Sequence, residues 1–387
     1  MQHKHHSTKI GQSSMKILVV GKFYTPFRGG IEEVTQIVAE YAAKYHDVTV
    51  LVNNHESGES SEVINGVTVI RRNQDLFLKG QPISFGMFRG VRFADYDLIN
   101  FHSPNPFTTA LFLLQGLGRK VPPVVVIHHM EIFGRKLLRA LSLPFVRHLV
   151  RRSKTVIVTS KKNLEVSRDL PRHANYQVVP LGIKPEEYQL DAELIEEAKA
   201  WRRELSGDAP LIGFVGRIAR YKGLGVLLHA LVTLPGVHAV IGGTGEYYDE
   251  IQRIARELNI TDRVHFLGRI SHREKLRLLA AIDLFAFPSN EITEAFGLSQ
   301  VEAMICGAPV VATNLPTGVT DVSIDRVTAL LAEPGDVASF AHCLRTMLDD
   351  PKLAADLAAR AKVHVMENLT ADKVSARTLE VFHAAIK

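Results

Sequence analysis

Thirteen short apolar runs, most of them rich in β-branched residues, punctuate this chain, with helical spacing between most of them. They cover residues 17–21, 48–52, 67–71, 98–102, 124–128, 155–160 and 177–180, then 211–216, 238–242, 264–268, 284–288, 309–313 and 329–332. Several, such as Ile17-Leu18-Val19-Val20, are apolar without alternation, as a parallel strand covered on both faces requires. Strand and helix in turn predict βαβ units and two doubly wound parallel sheets, an α/β fold.

At 387 residues the chain exceeds one ordinary core, so two domains are expected. The break falls after Pro180-Leu181-Gly182-Ile183, where residues 184–208 turn polar with helical spacing before a new strand starts at Leu211. The expected organisation is a leader or tag over 1–14, Rossmann-like domains over 15–190 and 191–370, and a closing helix over 371–387. Two such domains place ligands in a central cleft, at the carboxyl ends of the strands.

A hydrophobic fraction of 46% and a charged fraction of 22% describe a globular protein, and no apolar run reaches the roughly 20 residues of a membrane span. The opening His3-Lys4-His5-His6 is set apart from fold reasoning. Cys306 and Cys343 have neither metal spacing nor a disulfide framework, which predicts reduced thiols in a cytoplasmic protein. Residues 1–190 hold 25 Lys/Arg against 15 Asp/Glu, whereas the remainder holds 21 against 26. Between Glu131 and Glu165 there are nine Lys/Arg and no acid, interleaved with Leu137, Leu138, Leu141, Phe145 and Leu149. This segment, 135–162, reads as a basic amphipathic helix suited to an anionic membrane surface. An ordinary helix with cations outside is the alternative. No nucleic-acid motif accompanies the patch.

The densest chemistry lies in Glu294-Ala295-Phe296-Gly297-Leu298-Ser299-Gln300-Val301-Glu302, directly after an apolar run. A Gly-containing turn into a helix offers unpaired N–H groups and a positive dipole end to an anion. Glu302 can accept from vicinal hydroxyls, as the acidic residue of a dinucleotide site does with ribose. Gly216-Arg217, with Lys222-Gly223, follows the first strand of the second half, and Gly29-Gly30 follows the first strand of all. Arg217 can hold a phosphate through two parallel hydrogen bonds, and Lys222 adds a point charge.

Together these three elements, in this order from Met15 onwards, resemble the retaining glycosyltransferases of family 4, which have the GT-B fold. The resemblance implies catalytic roles for Glu294 at the donor sugar, His128 facing it, and Arg217 and Lys222 on the leaving diphosphate. It implies donor contacts from Gly29, Gly30, Gly243, Phe296, Gly297, Leu298 and Glu302, and sugar- or acceptor-side positions for His102 and His129. A plain turn is the alternative at Gly29-Gly30 and at Gly243. The N-terminal domain would bind the acceptor and the C-terminal one the donor. One departure is Arg326-Val327-Thr328-Ala329, where the family often has Gly-x-Thr-Gly.

Asn314-Leu315-Pro316-Thr317-Gly318-Val319 and the run at His102 resemble bacterial mannosyltransferases of surface-polysaccharide assembly. The expectation is transfer of mannose from GDP-mannose to a lipid-linked or polysaccharide acceptor, at the inner face of the plasma membrane. No cofactor and no metal are expected, because Arg217, Lys222 and helix dipoles supply positive charge. Another nucleotide-sugar enzyme of the same fold, such as an epimerase, and a non-catalytic donor-binding subunit are the alternatives.

Overall fold

The computed structural model describes residues 14–27, 29–78, 81–129 and 136–387, the side chains of 136–138 left aside. The first ten strands are β1 (Lys16–Val20), β2 (Asp47–Asn53), β3 (Ser60–Ile64), β4 (Val67–Arg72), β5 (Leu76–Leu78), β6 (Gln81–Ile83), β7 (Leu98–Ser103), β8 (Val124–His128), β9 (Thr155–Val158) and β10 (Tyr176–Val178). Between and after them run α1 (Gly30–Ala43), α2 (Pro106–Gln115), α3 (Lys136–Arg152) and α4 (Lys161–Val166). Eight of these strands form one sheet in the order β10-β9-β8-β7-β1-β2-β4-β3, and β5 pairs with β6 apart from it. β1 runs parallel to both β2 and β7, while β3 lies antiparallel to β4 at the edge.

Apolar runs did not announce β3, because its residues Ser60 to Val63 are exposed. Its signal is the turn instead. Asn65-Gly66 joins Ile64 to its partner Val67 with both residues at positive φ (48° and 82°), the two-residue hairpin geometry that Asn-Gly favours.

The second series opens with α5 (Ala192–Ser206) and continues β11 (Leu211–Val215), α6 (Leu224–Val232), β12 (His238–Gly242), α7 (Tyr248–Glu257), β13 (Val264–Gly268), α8 (His272–Ala281), β14 (Leu284–Phe287), α9 (Leu298–Ile305), β15 (Val310–Thr313), α10 (Val319–Val322), β16 (Leu330–Ala332), α11 (Val337–Asp349), α12 (Pro351–Asn368) and α13 (Ala371–Ile386). Its sheet is wholly parallel in the order β13-β12-β11-β14-β15-β16. Counted from β11, that is 3-2-1-4-5-6, the doubly wound order whose switch point lies between β11 and β14. Both faces are covered. Phe285 and Phe287 pack with Val301 and Met304 on one side, and Phe214 packs with Leu227, Leu231 and Phe340 on the other. Each such side chain contributes about 1.5–3 kcal/mol by leaving water.

The chain divides into two compact units. One holds the described residues up to Ile127 with Pro144–Thr155 and Leu379–Lys387, and the other holds those in His128–Leu143 and Val156–Thr378. Residues 156–190, expected with the N-terminal domain, thus group with the second unit. Their contacts there are polar and apolar: Asn163 donates to Ala295 O at 2.8 Å and accepts from Gly318 N at 3.0 Å, and Ile183 and Tyr188 belong to the same core cluster as Phe285 and Met304. In the first unit, His383 near the end of α13 lies 3.1 Å from His46, nitrogen to nitrogen.

Candidate active site

β11 and β14 are each followed by a loop that carries one charged residue back to the switch point. Lys222 and Glu294 are both buried there, and Lys222 Nζ lies 2.5 Å from Glu294 Oε2. Ser289, directly beyond β14, donates to the same oxygen at 2.8 Å. Both donors fall on Oε2, so the Oε1 atom of Glu294 accepts nothing among the described residues. Burial alone would lower the Lys222 pKa, but the Glu294 carboxylate and Tyr221 outweigh it and hold the ammonium above the usual lysine range. The switch point therefore carries a cation in contact with Glu294.

Backbone packing shapes the floor. Gly243 follows β12 at φ +136°, and a Cβ there would stand 1.9 Å from Gly216 O. The loops after β11 and β12 thus touch main chain to main chain, with Ile218 N donating to Thr244 O at 2.9 Å. Arg217 projects outward: it is 68% exposed and paired with Glu246 at 3.0 Å. A surface pair of this kind contributes well under about 1 kcal/mol and is readily exchanged for a phosphate.

The turn into α9 is held as tightly. Gly297 caps the helix in the left-handed region (φ 79°), packed so closely on Phe287 that a Cβ would strike its ring at 2.3 Å. Buried Gln300 donates to Phe296 O at 2.7 Å and accepts from Ser323 Oγ at 2.6 Å. Phe296 is buried, and at the start of α9 Gln300 N donates to Gly297 O at 3.1 Å, which leaves the amides of Leu298 and Ser299 ahead of the first intrahelical bond. One turn on, Glu302 Oε1 accepts from Tyr188 Oη at 2.6 Å and from Lys275 Nζ at 2.7 Å.

His128 ends β8 and His129 follows it; both are buried and line a cavity of about 30 Å³ with Asn163, Thr293 and Ala295, the residues on either side of Glu294 among them. His102 belongs to the first unit. It is fully enclosed at the end of β7, its Nδ1 3.0 Å from Thr35 Oγ1 and its Nε2 3.0 Å from Asn100 Oδ1, and burial pushes its pKa down to about 3. Gly29 and Gly30 open α1. There Glu32 folds its carboxylate back to the helix start, 2.3 Å from where a Gly29 Cβ would lie, and burial raises its pKa.

Two family models match in succession, Glycosyltransferase Family 4 over residues 28–187 and Glycosyl transferases group 1 over residues 195–364. A glycogen synthase of Mycobacterium tuberculosis is 30% identical over 410 residues, covering 96% of this chain and 95% of that protein. The chain belongs to the family 4 glycosyltransferases. As such it is also similar to the D-rhamnosyltransferase WbpZ of Pseudomonas aeruginosa (28% over 352 residues, 89% of each). The O-antigen chain mannosyltransferase C of Escherichia coli matches at 26% over 363 residues, 92% of this chain and 95% of that one. Among solved structures, the sucrose-phosphate synthase of Thermosynechococcus elongatus superposes with a TM-score of 0.79 at 20% identity (96% and 98% covered). HepE of Anabaena, in complex with UDP and glucose, does so at 0.74 and 21% (96% and 100%). The fold of this glycosyltransferase is GT-B, and the enzyme is a hexosyltransferase.

Three residues that contact the candidate site residues escaped the sequence reading: Ser289, Tyr188 and Lys275. Ser289 stands directly after an apolar run, a position that could have marked it. Tyr188 and Lys275 reach Glu302 from 114 and 27 positions away, and no local pattern reports such contacts. The one Asp-x-Asp triplet, Asp95-Tyr96-Asp97, lies before β7, where Asp97 accepts from Lys16 N at 2.7 Å and Asp95 from Arg92 at 2.8 Å.

Proposed function

We propose that this glycosyltransferase moves mannose from GDP-mannose to a lipid-linked or polysaccharide acceptor of a bacterial cell-surface glycan, with retention of configuration. The observation that carries the chemistry is the Lys222–Glu294 pair at the switch point. In the proposed reaction the C1–phosphate bond breaks and the diphosphate leaves with its electron pair. The acceptor oxygen bonds to C1 on the same face and passes its proton to an oxygen of that diphosphate. Lys222 and Arg217 offset the charge on the leaving group, Glu294 Oε1 receives donor-sugar hydroxyls, and His128 faces the sugar. Gly29, Gly30 and Gly243 let backbone approach the donor, and Glu302 takes the ribose. That the Escherichia coli relative is a mannosyltransferase and the Pseudomonas one a D-rhamnosyltransferase supports a mannose or related donor.

We place the enzyme in the cytoplasm at an anionic membrane surface. Among the described residues no helix is long and apolar enough to cross a membrane. The basic segment supports the surface reading in part only, because Arg139 is bound to Asp169 and Lys162 to Asp321. Arg135 lies outside the described residues. Arg151 and Arg152 on α3 are exposed, as are Leu141 and Phe145 of the same helix, and these four support the surface reading. Co-sedimentation with phosphatidylglycerol vesicles, but not with phosphatidylcholine ones, is the expected result.

The deciding experiment incubates the protein with GDP-mannose, UDP-glucose, UDP-galactose and UDP-GlcNAc, with and without EDTA, and follows diphosphate release and product stereochemistry. GDP release from GDP-mannose in EDTA supports the reading. Turnover restored only by Mg²⁺ or Mn²⁺ would refute metal-free transfer, and donor epimerised without transfer would favour the epimerase.

A further inference from the structure

Glu302 is held by one oxygen only. Tyr188 Oη and Lys275 Nζ both donate to Oε1, and they lie 3.3 Å from each other, so the three groups close a triangle. Lys275 Nζ also sits 5.0 Å from the centre of the Tyr188 ring. The Glu302 and Lys275 side chains are only 12% and 18% exposed, and Tyr188 is buried. Glu302 Oε2 accepts nothing among the described residues. Each partner comes from a different element: Lys275 from α8, and Tyr188 from the turn Pro185–Tyr188 that precedes α5. That turn is itself anchored, since His272 Nε2 lies 2.7 Å from Glu187 O and Ile183 N donates to Leu369 O at 3.0 Å.

A carboxylate pinned at one oxygen cannot spin about its terminal bond, so its other oxygen faces one direction before any ligand arrives. Fixing an acceptor in advance removes ordering cost from the bound state and sharpens discrimination against a ligand that lacks the matching donor. A carboxylate left to rotate would find water, or the phosphate's counter-ions, almost as well.

We infer that Tyr188 and Lys275 are specificity-determining positioning residues, which orient Glu302 so that Oε2 selects a ribonucleotide over a 2′-deoxyribonucleotide donor. This rests on the reading of Glu302 as the ribose-holding carboxylate. Lys275 fixes the position of Oε1, and Tyr188 sets the plane of the carboxylate.

The test is calorimetric binding of GDP, UDP and ADP and of their 2′-deoxy forms. The wild-type protein is expected to prefer the ribo form of its own nucleotide by about ten- to hundredfold, the range for one hydrogen bond to a charged acceptor. Tyr188→Phe lowers that ratio about three- to tenfold by weakening ribonucleotide binding and leaves the deoxy form unmoved. Lys275→Met does the same, and Lys275→Arg restores the ratio. Equal weakening of both forms in Tyr188→Phe and Lys275→Met, or an unchanged ratio, would overturn the positioning role. Glu302→Gln separates the two claims. If it abolishes the preference while Tyr188→Phe and Lys275→Met keep it, the ribose reading stands and the positioning inference fails. If Glu302→Gln keeps the preference, the ribose reading itself is refuted. Binding of none of the nucleotides overturns both.

Discussion

Lys222 and Glu294 meet at 2.5 Å although 72 residues separate them, one after β11 and the other after β14. Removing one member strands a buried charge, which costs about 3–5 kcal/mol, whereas removing both costs less. Chemical denaturation of Lys222→Met, Glu294→Gln and the double variant should therefore show the double variant more stable than Lys222→Met plus Glu294→Gln summed. In transfer assays Glu294→Gln is expected to lower kcat by about a hundred- to a thousandfold. Wild-type turnover in that variant would end the catalytic assignment.

His102 ties stability to acidity. Its folded pKa lies near 3, below the unfolded value of about 6.5, so the unfolded chain binds the extra proton. Stability contributed by the neutral ring is whole above pH 6.5 and is lost as pH falls through that value, by about 1.4 kcal/mol per pH unit down to the folded pKa. Urea melts between pH 7.5 and 4.5 should show this slope, and His102→Asn should flatten it.

Gly243→Ala asks whether the two loops really touch. A methyl group at φ +136° and 1.9 Å from Gly216 O has nowhere to go without moving main chain. The expected loss is about 3 kcal/mol, with donor binding weakened in what still folds. A midpoint equal to wild type would show that the loops part easily.

Arg326 offers the opposite case. It adopts φ 57°, a left-handed conformation disfavoured for a residue with a side chain, and its N–H donates to Ala329 O at 2.8 Å. The turn that the family often builds with glycine is thus kept here under strain. Arg326→Gly should stabilise the protein by about 0.5–1 kcal/mol, read as a raised thermal midpoint with unchanged activity.

The parallel strands were legible because burial on both faces writes continuous apolar runs such as residues 17–20 and 284–287 into the chain. Lys222, Glu294 and Glu302 could be singled out as candidates because loops after strand ends keep such residues in short, contiguous stretches. What stayed hidden depends on three-dimensional partners. The sequence does not tell that His102 has Thr35 and Asn100 as its partners. Arg139 and Lys162 read as part of a free cationic face until Asp169 and Asp321 come to meet them. The edge strand β3 was missed because it is exposed, and exposure erases the apolar signal.

Glu32 gives the start of α1 a selectivity of its own. A helix end that already holds a carboxylate from its own first turn gains little from chloride, sulfate or a stray metabolite acid, since each would only replace one anion with another. Entry is favourable only for a ligand that brings more charge and more contacts than the group it displaces. On the proposed reading, in which the glycine loop at Gly29-Gly30 approaches the donor, that loop would work as a threshold rather than a trap, ignoring the common small anions of its surroundings and yielding to a multiply charged one.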